Sequence, residues 1–561
     1  MKALKHYLRF VLPTLLVAAV MMTSCSSGAN KEGAVIPKDA LFVATLDLGS
    51  VWEKGELKKA NDLKIVKEIH KNLKEESPNL DKIVNDILSD PESSGIDFGK
   101  NVTLFATQEG RQTYFVVSAT MKDNEKFEAL FSKMKKAKLL DSDFTKKIDK
   151  KNGLKLMLLE DVSIIYNDDR VLLVTTDRYD RDDEKTEYGI ELFSLKSEDA
   201  ISSLSSFNEF WSNRHDAAIF IPYSSSSNMG GMGGLYSGIL DNVFDAILDS
   251  DEQKQLEEAG LYFAVSFEKG SIDIHSGTCG VPKKLKKIAD ASFNKDLIDY
   301  MPEKTYAAAT LAINTDYIIE VLESDKDTKK ILKQKIDIKK YTVRDLLESL
   351  GGSVVVSLHG FSRDGEPLIA GAIDIKNADL VKAAIKEMGL EKEGGYYNLH
   401  GAYLYLGNGV IVASNDQKVV KKAATGGYGN GMKAIASKAK SGSFFYVNLD
   451  INQYPAEIKE GAKEAKKYYG DDVYDFITMF SSAEISKDGD NAVFHLFFKK
   501  DDNNSLAMII KSLDKMIANG FFRPKAYPDN YYDDVDYTYN EYDNYYNNVD
   551  EVVADTVALA Y

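Results

Sequence analysis

Ile36-Pro37-Lys38-Asp39-Ala40-Leu41-Phe42-Val43-Ala44-Thr45-Leu46-Asp47-Leu48 and Met301-Pro302-Glu303-Lys304-Thr305-Tyr306-Ala307-Ala308-Ala309-Thr310-Leu311-Ala312-Ile313 read as two openings of one pattern. Each is a proline turn that passes into a strand-like run, and the two prolines lie 265 residues apart. A helix-like stretch follows each, with Val51 and Trp52 in one and Ile318, Ile319 and Val321 in the other. Hairpins come next. Asn101–Thr107 and Thr113–Thr120 flank Glu109-Gly110, and Gly352–His359 and Leu368–Ile375 flank Asp364-Gly365. The glycines supply the positive φ that tight hairpins need.

The correspondence continues down the chain. Phe127, Leu130, Phe131 and Met134 share the i, i+3, i+4, i+7 spacing of Val381, Ala384, Ile385 and Met388, which predicts two amphipathic helices. A second hairpin turns at Asn167-Asp168-Asp169 and again at Gly407-Asn408-Gly409, with Thr176 and Ser414 as candidate N-caps afterwards. Single strands at Ala217–Pro222 and Ser443–Asn448, then hairpins at Lys269-Gly270 and Asp488-Gly489, close each unit. Asp180–Glu187 and Ser224–Gly238 read as insertions in the first copy. The predicted fold class is α+β, in two tandem, internally duplicated units. Each has an antiparallel or mixed sheet with helices on one face. The predicted segments are a signal peptide at 1–24, a tether at 25–35, the repeats at 36–300 and 301–525, and an acidic tail at 526–561.

The N-terminus addresses location. Lys2, Lys5 and Arg9 precede the apolar run Phe10–Met22, then Thr23, Ser24 and Cys25. This is the layout of a secretory signal, and Met-Thr-Ser-Cys resembles a bacterial lipobox. The resemblance implies cleavage before Cys25 and acylation of its thiol. An ordinary cleavage site and a retained membrane helix are the alternatives. Removal of 24 residues leaves 537, too many for one ordinary core.

The net charge of −17 argues against nucleic-acid binding, which needs a basic face. There are two cysteines. With Cys25 acylated, Cys279 has no partner for an intrachain disulfide. His275 lies four residues from Cys279 on an apparent strand, hence on the same face, but a buried structural thiol is the simpler reading. None of the seven histidines, His6, His70, His215, His275, His359, His400 and His495, falls into a zinc pattern. Gly95–Lys100 is one residue short of a phosphate loop and reads as a turn into a strand. Gly230–Gly234 lacks dinucleotide-binding order and reads as a mobile loop before an amphipathic helix from Ile239 to Leu256. No Gly-x-Ser-x-Gly elbow occurs. Phe207, Phe210 and Trp211 follow helical spacing, which favours core packing over sugar stacking. After Lys525 there is no Lys or Arg, and the Tyr, Asn and Asp of 527–561 predict disorder. A sticky Tyr-rich partner segment and a weak calcium sink are the functional alternatives there.

The stretch 36–48, shortly after Cys25, resembles uncharacterised lipoproteins of Bacteroidota, a family catalogued as domain of unknown function 4836. The resemblance covers the whole body. It lends no catalytic, cofactor-binding or metal-ligating residue. By resemblance to bacterial lipoproteins, Ser26 in place of an inner-membrane-retaining Asp implies an outer-membrane anchor, and the lack of acidic residues over Ser26–Asn30 implies that it faces the periplasm. The resulting expectation is a lipid-anchored envelope protein that binds or scaffolds an envelope partner, with no cofactor and no nucleic acid. An envelope or glycan hydrolase and a carrier of an apolar ligand are the alternatives. An exposed apolar patch would favour the binding reading, a polar cleft of titratable groups the enzyme, and a large apolar cavity the carrier.

Overall fold

The computed structural model describes residues 29–519, apart from 138–139, 141–144, 149–152, 160–161, 178–181, 227–247, 249, 288–289, 325–327, 337, 339, 400, 441 and 490. The signal segment, Cys25, His400, the Gly230–Gly234 cluster and the acidic tail therefore lie outside the described residues.

Ten strands come from the first part of the chain: β1 (Phe42–Leu46), β2 (Val102–Glu109), β3 (Gln112–Thr120), β4 (Thr145–Ile148), β5 (Lys155–Leu158), β6 (Ser163–Tyr166), β7 (Arg170–Thr176), β8 (Ala217–Pro222), β9 (Gly260–Glu268) and β10 (Ser271–Cys279). Ten more follow: β11 (Ala307–Ala312), β12 (Leu350–Phe361), β13 (Pro367–Ile375), β14 (Lys392–Glu393), β15 (Tyr396–Leu399), β16 (Ala402–Gly407), β17 (Val410–Ser414), β18 (Phe444–Asn448), β19 (Phe480–Asp488) and β20 (Asn491–Phe498). The expectation of two separate sheets is corrected. Among the described residues, all twenty strands belong to one open sheet, and every pairing is antiparallel. The join is β10 against β20, from Ser271↔Phe497 to Ser276↔Ala492. Outward from that pair the strands run 10-9-8-1-2-3-7-6-5-4 on one side and 20-19-18-11-12-13-17-16-15-14 on the other.

The expected hairpins form, all but the Asn167–Asp169 turn on residues at positive φ. Gly110, Gly270, Gly365, Asn408, Gly409 and Gly489 all sit at positive φ. The cap expected from Thr176 or Ser414 is shifted: Asp416 caps the helix Gln417–Ala423, accepting from the Lys418 amide at 3.0 Å. Thr176 instead accepts from Gln112 across the sheet. Of the insertion expected at 180–187, the described residues from Asp182 onward form a helix, Asp182–Phe193.

Helices cover both faces of the first half, not one. Along β6 and β7, Ile165, Leu172 and Val174 enter a core with Tyr188, Leu192, Phe207, Phe210 and Trp211. Their neighbours Ile164, Tyr166, Val171 and Leu173 enter another with Ile83, Phe127, Leu130, Phe131 and Met134. The stripe on Asn124–Lys136 is thus buried as its spacing predicts. Its counterpart is displaced. On Asp379–Glu387 the buried residues are Leu380 and Ile385, while Met388 lies past the helix end and is exposed. A further core, including Val355, Ala370, Val412, Val419, Val420 and Phe444, fills one face of the second half.

Candidate binding face

Several strands are apolar on both faces, as in Leu104-Phe105-Ala106, Val354-Val355-Val356 and Leu261-Tyr262-Phe263-Ala264-Val265. Such runs normally mark a sheet covered on both sides. Here Phe105, Val355, Tyr262 and Ala264 enter the helix-covered cores, and the alternate residues point the other way.

The ladder connects those alternate residues. Directly opposed residues share a face. Val117, Leu104, Ala44, Ile219 and Phe263 are opposed in turn across β3, β2, β1, β8 and β9. Two residues along β9, Val265 starts the next run: Ile274, Phe494, Ile485, Phe445, Ala309, Val356 and Gly371, across β10, β20, β19, β18, β11, β12 and β13. At the usual strand spacing these twelve strands span about 50 Å. The helices around Leu48, Phe98 and Phe127 reach only the Leu46, Val102 and Val117 end of this face.

Much of the remainder is open. Leu104, Phe115, Leu261 and Phe263 in the first half, and Leu311, Val356, Ile369, Phe445 and Ile485 in the second, each keep 37–46% of their surface accessible. Most fall at equivalent ladder positions. Leu104 and Val356 oppose Ala44 and Ala309. Phe115 and Ile369 stand two residues before the partners of Leu104 and Val356. Partly buried Ile219 stands where Phe445 stands, and Phe263 where Ile485 stands.

Across the sheet from this face, the β10–β20 join is polar. Asp273 and His495 are opposed and bonded, Oδ1 to Nδ1 at 2.8 Å. Burial works against the Asp273 charge, but the His495 hydrogen bond holds its carboxyl below the usual range. His275 stacks on His215, centroids 4.1 Å apart. Burial, then the neighbouring His275, pushes His215 down. Asp216 accepts from Ser50, from Lys54 Nζ at 2.8 Å and from the Phe267 amide at 2.6 Å. Although burial opposes its charge, Asp216 and Glu268 hold Lys54 above its ordinary value. Glu484 is paired with Lys438 at 2.6 Å. These acids and bases balance one another within the sheet, an arrangement that fixes strands.

The residues singled out in the sequence fall in separate places. Cys279 is fully buried in the core with Phe207 and Phe210, and burial pushes its thiol up to about 12, which removes thiolate chemistry. Trp52 and Trp211 are buried, so neither offers a sugar platform. Gly95 (φ 83) turns the chain into buried Ile96 and Phe98 ahead of β2, as read. His70 is paired with Asp81 on a helical hairpin. Burial pushes His359 below its ordinary value, and its Nε2 has no partner among the described residues. Among the described residues, no group of three or more His, Cys, Asp or Glu could hold a metal ion. No described helix is long and apolar enough to cross a membrane. Sheet faces, the cleft between the two halves and the tail are all possible contact surfaces on the sequence, which does not say which sheet face stays open. The signal for it is the failure of strands such as Val354–Val356 to alternate apolar with polar.

The family model described as domain of unknown function, DUF4836, matches residues 33–506. The chain belongs to the DUF4836 family. The matched DUF4836 span takes in all twenty of the described strands. No curated protein matches it. Two solved structures are similar to parts of this DUF4836 chain, crystal forms IV and III of TP0453. They are 9% and 8% identical, cover 45% and 46% of this chain, and are themselves covered over 83% and 87%. Both have a TM-score of 0.22, too loose a superposition to carry an argument.

Proposed function

We propose that this chain is a lipid-anchored, non-enzymatic binding protein of the bacterial cell envelope, made of two copies of one α+β unit, whose open sheet face seats the apolar surface of an envelope partner protein. The observation that carries the reading is the recurrence of half-exposed Leu104, Phe115 and Phe263 as Val356, Ile369 and Ile485 at matching ladder positions. Isolated exposed apolar residues are ordinary. A contiguous face of them marks an interaction surface. The matching strand order on the two sides of the β10–β20 join supports the duplication. Cys25 behind Thr23 and Ser24, and a Bacteroidota-like opening at 36–48, support the anchor on the periplasmic side of the outer membrane.

A photo-reactive residue at Val356, with a control at exposed Lys58, tests the reading in cells. Expected is one reproducible envelope protein cross-linked from Val356, not from Lys58, and lost when Phe445→Asp is added. Recovery of lipid in place of protein would convert the reading to an apolar-ligand carrier. Recovery of neither, with glycan turnover by the purified chain, would overturn it. Metabolic labelling with an alkynyl fatty acid tests the anchor: label should be incorporated and should vanish in Cys25→Ser.

A further inference from the structure

A second feature lies away from the sheet join. The helices Lys64–Glu76 and Pro78–Ser89 and the turn Leu57–Asp62 border an open cleft of about 740 Å³. Its floor is a chain of hydrogen bonds. His70 Nδ1 meets Asp81 Oδ1 at 2.5 Å, His70 Nε2 meets Asn61 Oδ1 at 3.3 Å, and Asn61 Nδ2 donates to Asn85 Oδ1 at 3.3 Å. Asp81 is buried and its carboxylate meets the His70 ring, not a lysine of the cleft. The rim is Lys67, Lys71, Lys74 and Lys82, against Glu75.

Three of these lysines are unmatched. Lys67 donates to the Asp62 carbonyl at 2.8 Å. Lys71, Lys74 and Lys82 have no carboxylate within ion-pair distance among the described residues. Lys67, Lys71 and Lys74 fall at i, i+4 and i+7 on one helix, so each repels the next and works against the helix. A chain of net charge −17 has acids to spare, yet this cleft concentrates positive charge.

We propose that this cleft binds a phosphate ester, the lysines holding the phosphate oxygens and the remaining volume taking the group esterified to it. Phosphate fits because lysine ammonium groups act as compact point charges that suit an anion with charge spread over several oxygens. The volume lies in the range of small-ligand sites and exceeds what inorganic phosphate alone would fill. The site is independent of the open sheet face, and either can fail alone.

The test is isothermal titration of the full chain in detergent with three probes: inorganic phosphate, glycerol 3-phosphate, and a short-chain phosphatidic acid below its micelle concentration. Expected is saturable binding of at least one, tightest for an ester, weakening as NaCl is raised, and at least tenfold weaker in Lys71→Ala/Lys74→Ala/Lys82→Ala. These positions are exposed, so the variant should fold, and removing the repulsion should leave its melting temperature equal or higher. Glycerol 3-phosphate binding as well as the phosphatidic acid would identify a soluble ester as the source. Binding of the phosphatidic acid alone would identify a lipid headgroup. Binding of none, or equal binding by the triple variant, would overturn the proposal.

Discussion

Single residues carry several of the sharpest consequences. Arg170 is buried with Glu32, Nη1 to Oε2 at 3.0 Å, and donates also to Ser118 Oγ at 2.7 Å and to the Lys31 carbonyl at 2.9 Å. Arg170→Met strands a buried carboxylate and is expected to cost about 3–5 kcal/mol in urea unfolding, with much of the loss restored by adding Glu32→Leu. Cys279 should resist a thiol reagent at pH 8 in folded Cys25→Ser protein and react at once in denaturant. His359 and His215 both have pKa values held down by burial. The unfolded chain therefore binds their protons at higher pH than the folded one. Stability from these groups is present above about pH 6.5 and is lost as pH falls through that value. Thermal melts at pH 7.5 and 5.5 should show the loss, and His359→Gln should reduce it.

At the scale of elements, local chemistry decides what can be read in advance. The X-Gly hairpins and the stripe Phe127, Leu130, Phe131, Met134 were legible because turn geometry and helical period are written in neighbouring residues. Met388 was misread because the second helix stops at Glu387, one residue short of the stripe. The short strands β4, β5, β14 and β15 went unread because four residues or fewer hold too little pattern unless, as for β6, a turn and a longer apolar strand follow at once. In the first half, the second helical layer lay beyond a view that assigned helices to one face. The Gly95 turn was legible, and its reason is steric. At φ 83, a Cβ there would stand 2.4 Å from the Asp123 carbonyl oxygen and 2.5 Å from the Phe127 nitrogen. Gly95→Ala is therefore expected to cost more than about 1 kcal/mol, by pushing away the start of the Asn124–Lys136 helix. Chemical denaturation with far-UV detection checks this.

For the whole molecule, the deciding contact had no local signal at all. Nothing near Ser271 or Asn491 announces that their strands pair, because the choice depends on everything between. The candidate face was hidden for the same reason: which side of Val356 is covered follows from packing, not from Val356. The bond between Asp273 and His495 makes the join testable. Its depressed carboxyl contributes stability that is present above about pH 4 and lost as pH falls below that. Asp273→Asn should accelerate amide exchange in β10 and β20 ahead of the sheet's far strands, and the wild-type difference should shrink in acid.

That join unites partners 222 residues apart in the chain. During synthesis β10 exists long before β20, so its outer border stays unsatisfied while more than two hundred residues are still being added. Long-range pairing of this kind is slow and leaves an unpaired border open to wrong partners. Maturation therefore finishes only when the last strand slots in beside one of the earlier ones. A chain truncated before Asn491 should accumulate as aggregates or in chaperone-bound form, however well its first ten strands pair among themselves.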